Sequence, residues 1–266
     1  LLDMQRMIRI LPEEQREIVI LRFGHDLTIR EIADVTGIPF RTVQSRIRLA
    51  LKKLKMVILA CNTASAKALR TIQQHDINPD ELRVLGVIRP TVEVIPQRTR
   101  TKHIGVLATP GTVASESYVI ELLKQDPTLI VTQQACPMWV PLIEAGEHLH
   151  AGADYFVEKY LNDLLERDSE IDTIILGCTH YPLIQSKIEA YLSLTNRQIS
   201  VVSQGEIVAH SLADYLHRHP EIVKRISSPL EGRLGGGFLT TESATKFSES
   251  ATLFLAEPIQ AQHIEL

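Results

Sequence analysis

Cysteine is scarce: Cys61, Cys136 and Cys178 are the three in 266 residues. An odd, sparse set supplies no disulfide framework and fits free thiols in a reducing cytoplasm. No apolar run reaches the length of a membrane span, and no charged-then-apolar secretory signal opens the sequence. A membrane partner is therefore not expected. The glycines of "GRLGGGF" are followed by no Lys-Ser or Lys-Thr pair, so they make a turn and not a phosphate loop. Neither a dinucleotide nor a pyridoxal signature is present, and the expectation is chemistry by side chains alone, with no cofactor. His210, His217 and His219 have no acidic or cysteine ligand clustered with them. "HSLADYLHRHP" reads instead as one exposed helix, and no metal is expected.

Acid is missing from one stretch. Arg41 to Lys55 holds six basic residues and no Asp or Glu. Residues 1–55 carry eleven Lys and Arg against seven Asp and Glu, a balance of +4 within a chain of net charge −4, which leaves −8 for residues 56–266. The charge shift coincides with a change of pattern near Lys55, which marks a domain boundary.

Before that boundary, apolar residues recur at helical spacing. "LPEEQREIVILRF" puts Pro12 at a helix start with Glu13 and Glu14 in the first turn, and Ile18, Leu21 and Arg22 continue it. "TIRE" is a capping box: Thr28 caps a second, short helix, Glu31 reaches back, and Gly37 ends it. A third helix runs from about Arg41, with Val43, Ile47, Ala50, Leu51 and Leu54 inward. Arg41, Gln44, Ser45, Arg46 and Arg48 are left outward, which is a helix-turn-helix arrangement. An ordinary three-helix packing module is the alternative. The stretch "LPEEQREIVILRFGHDLTIREIADVTGIPFRTVQSRIRLALKKLK" resembles the fourth conserved region of bacterial sigma factors. The resemblance implies promoter DNA read by Arg41, Thr42, Gln44, Ser45 and Arg46, with RNA polymerase as a partner. Nothing resembles the sigma region that binds the downstream promoter element.

From Met56 the rhythm is short apolar runs, polar turns and helical stretches: "MVILA", "LRVLGV", "HIGVLAT", "DTIILG" and "QISVVSQ" are strands. Strands alternating with helices specify an α/β fold with mostly parallel sheets, whose ligands sit at strand carboxyl ends. Two such ends match: "VILACNT" and "IILGCTH" each deliver a cysteine to a turn of hydroxyl, amide or imidazole groups. Were the two halves to face each other across a pseudo-twofold cleft, one thiolate would remove a proton from a carbon and the other thiol would deliver one to its far face. The reference thiol pKa, about 8.5, must then be tuned. The bland alternative is that both cysteines are small buried hydrophobes. Cys136, in "QQACPMWVPL", has no matched partner and reads as structural.

The segments "ACNTASA", "IGVLATPGTVASESY", "ACPMWVPLIEAGE", "LGCTHYPLI" and "QGEIVAHSLADYL" resemble the glutamate racemases, cofactor-independent members of the aspartate/glutamate racemase superfamily. The resemblance spans about residues 56–266. It implies Cys61 and Cys178 as the acid/base thiols, His180 as assistant to the second, and Glu144 as an acid behind it. It implies Asn62, Thr63, Thr179 and His180 as substrate contacts, joined by Thr109 and Thr112, and His180 after "CT" favours glutamate over aspartate. A complete family member also begins with a strand, an Asp-Ser-Gly-x-Gly-Gly turn and a Tyr-Gly loop, which residues 1–55 do not contain. Loss of that assistant and clamp implies weakened turnover and a "MVILA" strand with an uncovered edge, which invites a homodimer.

The expected architecture is therefore α/β: two pseudo-symmetric parallel-sheet lobes, the first truncated, behind a small all-α helix-turn-helix domain. That domain is 1–55, and the racemase-like part is 56–266, with lobe one at 56–97 and 207–266 and lobe two at 98–206. The expected function is cofactor-independent interconversion of L- and D-glutamate for peptidoglycan synthesis. The alternative is a sigma-like DNA-binding regulator whose racemase part is inert or senses a ligand.

Overall fold

The computed structural model describes residues 27–51, 56–77, 82–226, 238–240, 243–255 and 257–263, with Pro12, Glu14, Gln15, Glu17, Ile18 and Leu21. Glu13, Arg22, Leu54, the basic tail 52–55 and most of "GRLGGGF" lie outside the described residues, as do the side chains of Arg48, Ala50 and Leu51. Two compact units divide the chain. The first is Leu1–Ala60, Lys67–Gly86 and Leu216–Leu266; the second is Cys61–Ala66 and Val87–Tyr215.

In the first unit, helix Ile29–Thr36 opens with the expected capping box. The Glu31 amide donates to Thr28 Oγ1 at 3.2 Å, and the Thr28 amide donates to Glu31 Oε2 at 2.7 Å. The helix ends at Gly37, whose φ of 69° lies in the left-handed region that glycine enters without strain. Helix Phe40–Leu51 follows, with Val43 and Ile47 buried. Strand β1 (Met56–Leu59) pairs in parallel with β2 (Arg83–Gly86), from Met56↔Arg83 to Leu59↔Gly86. Among the described residues this sheet has two strands, so one edge of β1 carries no strand. Ile18, Ile32, Val43 and Ile47 from the helices share one core with Val57, Leu59, Ile72 and Val84. The helical segment and the two-stranded sheet therefore bury each other's apolar faces.

The second unit is built on a parallel sheet of order β4-β3-β5-β6, comprising β3 (His103–Ala108), β4 (Ile130–Ala135), β5 (Thr173–Gly177) and β6 (Ser200–Val202). Central strands β3 and β5 are buried almost throughout, which is why they read as unbroken apolar runs. Strand β4 went unforeseen: "IVTQQA" lies at the sheet edge, half exposed, and two glutamines dilute its apolar signal. Ile104, Val106 and Ile175 from the sheet pack with Val92 and Ile95, and with Tyr118 and Leu122 of helix Ser117–Gln125. The remaining strands, β7 (Phe238–Thr240) and β8 (Ala261–His263), pair in parallel in the first unit. This is the expected α/β class with parallel sheets and N-terminal helices.

The β3–β5 register sets Ala108 beside Gly177. A Cβ at Gly177 would lie 3.0 Å from the Ala108 Cβ and 3.1 Å from the Leu107 carbonyl oxygen. A methyl group there would press on its neighbours, which must give by a few tenths of an ångström. Gly177→Ala should destabilise the fold by about 1–3 kcal/mol, as overpacking does. Chemical denaturation measures this, and a variant as stable as wild type would show that the strands part at no cost.

Candidate active site

Three of the four strands in the second unit's sheet run directly into a hydroxyl or thiol residue at their carboxyl ends: Thr109 after β3, Cys136 after β4 and Cys178 after β5. Cys178 is 8% exposed. Burial pushes its thiol up to about 11, while the backbone N–H groups of His180, Thr179 and Tyr181 favour the thiolate and a charge on Cys61 disfavours it. His180 Nδ1 stands 3.8 Å from Cys178 Sγ, and His180 Nε2 stands 2.5 Å from Glu144 Oε1. Thiol, imidazole and carboxylate lie in series, a route along which a proton can leave or reach the sulfur.

The backing of this series is aromatic. Trp139, at the start of helix Trp139–Glu144, meets Tyr181 edge-on at 4.7 Å and Tyr160 at 5.7 Å. Tyr181 is fully buried, and its hydroxyl donates to the Cys136 carbonyl at 3.2 Å. The turn Cys178–Tyr181 and the helix bearing Glu144 are therefore held by one cluster, which fixes the His180–Glu144 pair. Cys136 is itself buried, and burial holds its thiol well above the ordinary range.

Cys61 belongs to the same unit, is exposed, and precedes helix Asn62–Lys67. Thr63 Oγ1 lies 2.9 Å from Thr109 Oγ1 and 3.0 Å from Thr112 Oγ1, and those two are 3.0 Å apart. Three hydroxyls from two segments distant in sequence thus form a triangle able to donate to a carboxylate. Thr179 is exposed beside Cys178. Asn62 is placed differently from the hydroxyls: it is 2% exposed, its amide donates to Gln204 Oε1 at 2.7 Å, and its Oδ1 accepts from the Tyr118 hydroxyl at 2.7 Å. Sequence reasoning missed Tyr118, Gln204 and Thr91. The first two lie within the quoted segments "IGVLATPGTVASESY" and "QGEIVAHSLADYL", but nothing in their spacing points at Asn62.

In the first unit, Arg41 and Ser45 are exposed on helix Phe40–Leu51, Thr42 and Gln44 are half-buried, and Arg46 forms an ion pair with Glu14. Among the described residues there is no group of three or more His, Cys, Asp and Glu placed to hold a metal ion, and no helix is long and apolar enough to cross a membrane.

A parallel sheet with this cluster at its carboxyl end has the fold of the amino-acid racemases. The solved glutamate racemase isoform RacE1 from Bacillus anthracis matches it with a TM-score of 0.71 and 31% identity, over 90% of this chain and 82% of that one. The glutamate racemase of Francisella tularensis, solved with D-glutamate, matches at 0.67 and 25%, over 85% and 78%. The glutamate racemase of Paracoccus denitrificans is 37% identical over 246 residues, 87% of this chain and 84% of the relative. The chain belongs to the glutamate racemase family. Separately, residues 1–54 match the family described as Sigma-70, region 4.

Exposure and burial give the two thiols different reactivity. With its thiol titrating near 11, Cys178 is about 0.1% thiolate at pH 8. Iodoacetamide at that pH should alkylate exposed Cys61 at least about tenfold faster than Cys178, as read by peptide mass spectrometry. Equal rates would contradict the buried thiol.

Proposed function

We propose that this protein interconverts L- and D-glutamate by proton transfer between the substrate α-carbon and two thiols, Cys61 and Cys178. The observation that carries this reading is the Cys178–His180–Glu144 series at the end of β5, with Cys61 in the same compact unit. Inversion needs one thiolate and one thiol, on opposite faces of the carbon. Cys178, buried and high-titrating, is the thiol that protonates in one direction, and exposed Cys61 is the partner that deprotonates. In the reverse direction the roles exchange, and His180 with Glu144 takes up the proton that Cys178 must lose. The backbone N–H groups of Thr179, His180 and Tyr181 then offset the cost of charge on a buried sulfur.

Glutamate carries two carboxylates. The hydroxyls of Thr63, Thr109 and Thr112 form one site of capture, and Thr179 with the His180 region forms another. Holding the α-carbon between fixed thiols supplies orientation, which accounts for as much as about 7–11 kcal/mol of a barrier in well-oriented systems. The D-glutamate so produced serves peptidoglycan synthesis in a reducing cytoplasm, where the thiols stay free.

Polarimetry on L-glutamate and on D-glutamate tests the assignment. Cys61→Ala and Cys178→Ala should each slow racemisation at least about 10²-fold, the usual contribution of a positioned acid or base. Full activity in either variant would remove that thiol from the mechanism.

The first unit supports a second reading. Its capped helix, glycine turn and following helix, with exposed Arg41 and Ser45, support DNA binding, with RNA polymerase as companion. Six basic residues between Arg41 and Lys55 supply the electrostatic attraction. The full chain should bind promoter-length duplex DNA weakly, with affinity falling steeply between 50 and 200 mM salt as counterion release requires, by roughly 10³-fold or more if six phosphates are neutralised. No binding at low salt, or binding indifferent to salt, would remove the DNA reading.

A further inference from the structure

The racemase reading leaves one buried polar group without a task. Gln204 precedes helix Gly205–Arg218, is 6% exposed, and sits among side chains from three other helices. Asn62 Nδ2 donates to Gln204 Oε1, Gln204 Nε2 donates to the Tyr118 hydroxyl, and that hydroxyl donates to Asn62 Oδ1. Three groups thus close a ring in which every donor points the same way round. Gln204 Nε2 also donates to Thr91 Oγ1 at 3.1 Å, and the Thr91 hydroxyl donates onward to the Val87 carbonyl at 3.1 Å.

That last link fixes the direction of the ring. The single Thr91 hydroxyl proton is committed to Val87, so Thr91 can only accept from Gln204. The Gln204 amide is pinned with its nitrogen toward Thr91 and its oxygen toward Asn62. Asn62 must then present nitrogen to Gln204 and oxygen to Tyr118. Burial holds the Tyr118 phenol far above its ordinary range, opposed by the hydrogen bond from Gln204, so it remains a donor. Tyr118 is fully buried and Thr91 is fully buried, so a broken link leaves a polar atom with no water to turn to.

Asn62 is bonded to Cys61 in the chain and opens the helix that follows it. We infer that Gln204 and Tyr118 are positioning residues for Cys61: through Asn62 they fix where its thiol meets the substrate α-carbon. Neither touches the reacting atoms. The inference rests on the two-thiol racemase reading, and it deepens that reading by giving Cys61 a support distinct from the His180–Glu144 pair behind Cys178.

The distinction makes the test specific. In deuterated water, a thiolate that removes an α-proton can return a deuteron to the same face, giving exchange without inversion, or leave the far thiol to complete inversion. A displaced Cys61 starves the second outcome for the enantiomer whose α-proton faces Cys178, while Cys178 still exchanges it. Loss of the two buried hydrogen bonds of the Tyr118 hydroxyl in Tyr118→Phe should slow inversion at least about tenfold. The ratio of exchange to inversion for that enantiomer should rise by the same factor, and the other enantiomer should lose exchange and inversion together. Gln204→Glu, which replaces two donated hydrogen bonds by acceptor atoms, should show the same sign. Thr91→Val, which removes only the pin, carries the test where the other variants do not fold. Equal loss of both reactions for both enantiomers, at the wild-type ratio, would overturn the positioning role and leave a purely structural ring. Wild-type protein that neither racemises nor exchanges glutamate would overturn the racemase reading, and the role of Gln204 with it.

Discussion

The pairing of β3 with β5 is the constraint on which the site depends. Ala108 and Gly177 meet so closely that a further carbon would force its neighbours to give by a few tenths of an ångström, and the two strands end level, side by side and buried. From those ends leave Thr109 and Cys178, whose places are consequences of backbone register more than of their own contacts. A register slip of one residue would turn Cys178 to the other face of the sheet. Close packing at the strand ends converts a hydrogen-bonded ladder into the placement of a thiol.

Around that fixed point, two kinds of support act on the two thiols. Cys178 is desolvated, which resists its ionisation, and is faced by backbone N–H groups and by His180, which oppose that resistance. The competition leaves a group able to donate a proton and able, with help, to lose one. Cys61 is open to solvent, and its helix is anchored behind it by a buried amide–amide–phenol ring. One thiol is governed chiefly by electrostatics and the other by geometry.

Much of this was legible in the sequence, for physical reasons. β3 and β5 are buried on both faces, so they announced themselves as apolar runs, and the cysteines after the two matched runs, those of β1 and β5, stood out because parallel sheets present ligands at strand ends. Thr28 and Glu31 were readable because a capping box is local. β4 was not readable, since an edge strand with Gln133 and Gln134 has no strong period. Nor was the ring of Asn62, Tyr118 and Gln204, which joins positions 56, 86 and 142 residues apart. Such contacts arise from tertiary packing, which a pattern of short period does not encode. The sequence boundary near Lys55 marks a change of pattern, yet Val43 and Ile47 before it share a core with Val57 and Val84 after it. The helices that resemble a DNA-reading module therefore also cover the β1–β2 sheet, and their apolar faces are buried by that packing in either role.

The central claim is that two thiols act from opposite faces of one carbon. The most direct test is to incubate the protein with L-glutamate in deuterated water and to follow enantiomer composition together with α-deuterium content. The account predicts D-glutamate that carries deuterium at the α-carbon from the first turnover, because the proton returned comes from a solvent-exchanged thiol on the far face. D-glutamate that keeps its original α-proton would contradict the two-thiol mechanism, and the absence of D-glutamate would contradict the activity itself.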